Sequence, residues 1–126
     1  MNRVFRDAMR LMRDHDPQRQ EDGFHALLPV ASEYIDELLE EFQAEHDDHG
    51  LRCWLLELIG EARSSKGLPT LADQLNSSDE VLRGWAEHGL RLLDSKEARR
   101  ILWEAEQGSP RREGLSRSVS GRVGRS

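Results

Sequence analysis

His46 and His49 stand three residues apart with Asp47 and Asp48 between them, a concentration of residue types that could ligate a divalent cation. Zinc needs a third fixed ligand, and no further residue stands at a ligand spacing. Helix capping already accounts for the two aspartates, so no metal site is expected. Cys53 follows Arg52 at a helix start, where the adjacent positive charge and the helix N-terminus favour thiolate. A catalytic cysteine also needs a base, and none is identifiable from spacing. Cys53 therefore reads as a helix-surface or inter-helix residue. His25 and His88 fall within helical patterns, and neither has a Ser, Cys or Asp at a triad spacing. Glu40 and Glu41 are adjacent carboxylates. Neighbours on a helix point about 100° apart, so this pair does not converge on one atom as an acid/base pair must. The residues predict no catalytic group and no cofactor.

The charges are more informative than the nucleophiles. The net charge is −6, yet residues 108–126 carry Arg111, Arg112, Arg117, Arg122 and Arg125 against Glu113 alone. That is a net of +4, which leaves −10 on residues 1–107. Between Arg19 and Arg52 there is no Lys or Arg, while Glu21, Asp22, Glu33, Asp36, Glu37, Glu40, Glu41, Glu45, Asp47 and Asp48 all fall there. An acidic body argues against nucleic acid as its partner and for a basic protein or peptide. No stretch approaches the roughly 18 consecutive apolar residues of a membrane span. The start of the chain lacks the apolar block of a secretory signal, and the lone Cys53 forms no internal disulfide, so a cytoplasmic location is expected.

These residues must be positioned by helices. Phe5-Ala8-Met9-Met12, Ile35-Leu38-Leu39-Phe42, Leu68-Leu71-Ala72-Leu75 and Ala98-Ile101-Leu102-Ala105 share the spacing i, i+3, i+4, i+7 of one apolar helix stripe. A second series, Leu55-Leu58-Ile59-Ala62 and Ala86-Gly89-Leu90-Leu93, lies between them. In the first helix of that series Phe24, Ala26, Leu27, Leu28, Val30 and Ala31 are apolar, and its register is open by one residue. Asp14-His15-Asp16-Pro17, Asp47-Asp48 and Ser77-Ser78-Asp79 supply N-caps, and Ser64-Ser65-Lys66-Gly67 and Leu93-Asp94-Ser95 supply turns. Pro29 should kink or end its helix. The expected elements are a half unit, 2–13, and three helix pairs: 16–31 with 33–44, 48–63 with 67–76, and 79–94 with 95–106.

The segment from Ser77 to Leu90, with Asp79, the pair Leu82-Arg83 and Ala86, Gly89 and Leu90, resembles the HEAT-repeat signature. The segment from His46 through Arg52 to Gly60 is similar, and Asp14 through Leu27 is a degenerate version with Gln20 at the arginine position. The resemblance spans about residues 2–107. It implies an all-α fold, a short right-handed α-solenoid of about three and a half HEAT-like helix pairs. It also implies that Asp48, Arg52, Asp79 and Arg83 are structural residues between repeats. The family includes scaffolds, adaptors, bilin-lyase-like proteins and DNA glycosylases, so the resemblance by itself fixes no function.

Trp54 and Trp85 share a register two residues after the repeated arginine and should pack between units. Trp103 falls outside its stripe, as a cover for the stack end or a binding hot spot. The expected function is a non-catalytic interaction module. It would bind a basic protein or peptide on an acidic concave face through Asp36, Glu37, Glu40, Glu41, Asp73 and Trp103. An immunity protein neutralising a basic toxin, a nucleic-acid-associated HEAT protein, a bilin-lyase-like protein and a homo-oligomer are the alternatives. Residues 108–126, rich in Gly, Ser and Arg, should be a disordered tail.

Overall fold

Aspartates start three of the described helices. In the computed structural model, which describes residues 3–107, Asp16 caps α2 (Pro17–Leu27) by accepting the Gln18 N–H at 2.9 Å. Asp48 caps α4 (His49–Glu61) through the Leu51 N–H at 3.1 Å. Asp79 caps α6 (Glu80–Leu93) through the Val81 and Leu82 N–H groups at 2.9 and 3.1 Å. Each carboxylate satisfies donors that an α-helix cannot satisfy itself. Around these lie α1 (Arg3–Met12), α3 (Ile35–Ala44), α5 (Leu68–Gln74) and α7 (Lys96–Gln107), with 3-10 segments at Leu28–Tyr34 and Ser65–Gly67. The described residues contain no strand, and no helix among them is long and apolar enough to cross a membrane. The expectation for residues 108–126 lies outside the described residues.

The helix breaks follow from local chemistry. α2 ends at Leu27, short of the expected residue 31, because Pro29 lacks an N–H and restricts the residue before it. The chain passes through Val30 at φ −119° and ψ 17°, outside the helical region, and resumes as α3 at Ile35. Arg63 (φ 51°) and Asp94 (φ 50°) take the left-handed conformation that ends α4 and α6. Ser64 then caps the short 3-10 segment, and the Ser95 hydroxyl accepts the Ala98 N–H at 3.0 Å to start α7.

The apolar stripes form one core. Phe5, Ala8, Met9 and Met12 of α1 are all buried, as are Ile35, Leu38 and Phe42 of α3. The open register of α2 settles on Phe24 and Leu27, with Ala26 exposed, and Ala31 is buried from the 3-10 segment that follows. α4 is central: Leu51, Cys53, Leu55, Leu56, Leu58 and Ile59 are buried on more than one face. It packs along α6, and also against α3 and the Leu28–Tyr34 segment. His49 at the start of α4 meets Asp79 at the start of α6, and Gly60 meets Gly89 about three turns on, so these two helices run parallel. A methyl at Gly60 would lie 2.8 Å from the Gly89 Cα, so that crossing needs glycine on both sides. The core thins at α7, where Ala98 alone is fully buried and Ile101, Leu102 and Ala105 are half covered.

Candidate functional site

The acidic run on α3 is met from both sides. Arg13, just beyond α1, donates to Glu41 at 2.9 Å and to Glu45 at 2.8 Å. Lys66 reaches Asp36 at 3.2 Å. These cations stand 28, 32 and 30 residues from their carboxylates. They reach them only because the packing lays neighbouring segments side by side. The absence of Lys and Arg from the local sequence therefore does not leave α3 without countercharge. Glu37 (half-buried) and Glu40 (exposed) have no ion pair or hydrogen bond among the described residues. Glu45 is the most constrained of the set. It accepts the Asp48 and Asp47 N–H groups at 2.9 and 3.1 Å as well as Arg13, and these donors hold its carboxyl down to about 2.

Asp73 is exposed on α5, with the Gln74 side-chain amide at 3.4 Å. Trp103 of α7 is 61% exposed, the most exposed of the large hydrophobic residues described. It stands at a groove of about 260 Å³ lined also by Leu75, Leu102 and Ala105, with Glu87, Arg91 and Glu106 as its charged members. Arg91 is bonded to Glu87 at 2.7 Å, and Glu106 has no partner among the described residues. None of the α3 carboxylates lines this groove. The residues expected to form one surface thus occupy separate places: four carboxylates on α3, Asp73 on α5, and Trp103 alone at the groove.

The repeated Asp and Arg positions divide: Asp48 and Arg83 act within their own segments, whereas Arg52 and Asp79 also reach neighbouring ones. Asp48 and Asp79 are caps, and no ion pair among the described residues joins either to Arg52 or Arg83. Arg83 donates to the Ser77 carbonyl at 2.8 Å, six residues back, and Gln20 donates to the Asp14 carbonyl at 2.6 Å over the same separation. Both side chains fasten the loop that precedes their helix. Arg52 instead lies over the Phe42 ring, 4.2 Å from its centroid, and its Nε is buried without a hydrogen-bond partner. His49 Nε2 to Asp79 Oδ2 at 2.5 Å also links successive segments, a contact that local spacing hid.

His49 also approaches Cys53, with Nε2 3.7 Å and Nδ1 4.0 Å from Sγ. Cysteine, histidine and aspartate thus meet, but not as a triad. A triad uses the two ring nitrogens separately, whereas here Nε2 serves Asp79 and is also the nitrogen nearer the sulfur. Cys53 is 7% exposed, and burial followed by the Asp79 charge pushes its thiol up, against the smaller pull of Arg52. The thiolate favoured by its helix-start position is therefore disfavoured in the fold. His46 is exposed, and no group of three or more His, Cys, Asp or Glu among the described residues could hold a metal ion.

Sequence reasoning missed Arg13, Lys66 and the Glu87–Arg91–Glu106 rim. The signal for the first two was present: each stands about one repeat length from its carboxylate. Comparison with protein-family models, with curated proteins and with solved structures returned no match.

Proposed function

We propose that this chain is a non-catalytic α-solenoid of HEAT-like helix pairs that binds a basic protein or peptide. The recurrence of Asp-capped helix starts at Asp16, Asp48 and Asp79 and the parallel packing of α4 on α6 support the solenoid reading. The observation that carries the binding reading is Trp103, 61% exposed beside a groove that holds Glu106, a carboxylate with no partner among the described residues. An exposed tryptophan gives an apolar and cation-accepting anchor, and the adjacent carboxylate selects a positive partner. The net of −10 on residues 1–107 would accelerate the encounter with such a partner. Glu37, Glu40 and Asp73 are the carboxylates free to contribute, since Asp36 and Glu41 are held by Lys66 and Arg13.

The test is fluorescence anisotropy with a labelled Arg/Lys-rich peptide at two salt concentrations. Binding should weaken with salt. Trp103→Ala should cost at least about 1–2 kcal/mol of affinity at unchanged melting temperature. Glu37→Gln with Glu40→Gln should slow association and flatten the salt dependence. Equal binding by all three proteins would refute both surfaces.

A further inference from the structure

Away from α3 and the α7 groove, the paired helices α4 and α6 carry a constellation of their own. Glu61 of α4 meets His88 of α6 at 3.4 Å. Because the helices are parallel, Glu57, one turn before Glu61, lies level with Trp85, one turn before His88. Trp85 sets its ring edge-on to His88 at 5.7 Å. Trp54 precedes Glu57 by three residues on the same face of α4, and Phe24 braces it edge-on at 4.6 Å. His25 follows Phe24 at the exposed margin. Trp54, Glu57 and Trp85 are all half-buried, Trp54 and Glu57 on one face of α4 and Trp85 on the face of α6 that carries His88, and His25 and His88 are near enough for Glu57 to feel their charge.

Glu57, like Glu37 on α3, is half-buried and has no hydrogen bond or ion pair among the described residues, while Glu61 has His88. Burial, followed by the charge of Glu61, pushes the Glu57 carboxyl up against the smaller pull of His88 and His25, the opposite of the well-bonded Glu45. A half-buried carboxylate without a donor costs stability in the free protein, and a bound cation would remove that cost. Aromatic faces beside a carboxylate distinguish among cations. Guanidinium is planar, weakly hydrated, stacks on indole and offers a carboxylate two parallel N–H donors, whereas ammonium is a strongly hydrated point charge.

We propose that Trp54, Glu57 and Trp85 form a receptor for an arginine side chain of a partner protein. This deepens the basic-partner reading, on which it rests for the class of partner, and places a contact on residues that the α3 carboxylates and the Trp103 groove do not include. Val81, 50% exposed one turn before Trp85 on α6, gives an apolar neighbour for the residue beside that arginine.

The experiment titrates the isotope-labelled full chain with N-acetyl-arginine methylamide, and separately with N-acetyl-lysine methylamide and with sodium chloride at matched ionic strength. The indole N–H signals of Trp54 and Trp85 should shift saturably with the arginine compound and less with lysine. Glu57→Gln should weaken that response at least about tenfold. Its melting temperature should stay level or rise, because the variant removes an unsatisfied charge and keeps the shape. A variant carrying Glu37→Gln, Glu40→Gln and Trp103→Ala should keep the response, so loss of the α3 and α7 surfaces is read separately from loss of this one. Indole signals that do not move, that follow sodium chloride equally, or that persist unchanged in Glu57→Gln would overturn the proposal. Equal affinity for lysine would overturn the arginine assignment.

Discussion

Glu45 gathers three donors, the Asp47 and Asp48 amides and the Arg13 guanidinium, and thereby fixes the loop that leads into α4. Its folded carboxyl, held at about 2, lies below the ordinary glutamate value of about 4.5. A depressed folded pKa gives stability that is complete above the unfolded value and disappears as pH falls through the folded one. Asp14 and Asp79 are shifted the same way by their backbone N–H bonds. Melting temperature should therefore fall steeply between about pH 4.5 and pH 2, and less steeply in Glu45→Gln, which should already melt lower at pH 7. Parallel slopes in calorimetry would remove Glu45 from the account. Little of this was legible in the sequence. An N-cap can be read from a local pattern because its donors are two or three residues away, but Arg13 and Glu45 meet only after α1 and α3 have docked. The same reason hid the His49–Asp79 contact and the burial of Cys53, whose position at a helix start says nothing about what packs over it.

Glycines separate close helix contact from empty space. A Cβ on Gly89 would lie 2.8 Å from the Leu71 Cδ2 and 3.0 Å from the Gly60 Cα, whereas one on Gly84 would meet nothing within 4 Å. Gly60→Ala should force α4 from α6 and cost about 1–3 kcal/mol. Gly84→Ala, in the exposed middle of α6, should add up to about 1 kcal/mol through helix propensity alone. Thermal melts should move in opposite directions, by roughly 4–8 °C per kcal/mol for a domain of this size. A loss of stability in both variants would mean that the helices cross elsewhere. At this scale the sequence reads well, because the period of 3.6 residues is imposed by the helix itself. The stripes of α1, α3 and α6 place their buried residues, and Pro29 marks the break between α2 and α3. Which helices would lie side by side was not legible from the stripes, which say that a face is buried and not by what.

The molecule as a whole is organised about α4, which contributes Leu55, Leu56 and Leu58 at 0% exposure and is wrapped on more than one face. The core reaches α7 only through Ala98 and the half-covered Ile101, Leu102 and Ala105. All of the buried core residues named lie within residues 3–107. A chain ending at residue 107 should therefore show the helical circular dichroism of the full chain and melt within a few degrees of it. Failure of the shorter chain to fold would show that residues beyond Gln107 complete the core.

The uneven depth of that core also has a kinetic meaning. A helix attached through one fully buried small side chain and three half-covered ones is held less firmly than the rest, so its amides open to solvent by a local route. The amides of α4 have no such route and are released only when the whole domain opens. In deuterium exchange under native conditions, α7 should lose protection orders of magnitude sooner than α4, which should report the global unfolding free energy. The Trp103 anchor would then sit on the most readily detached element of the fold. Binding there should slow exchange in α7 far more than in α4, a signature separate from any change in affinity.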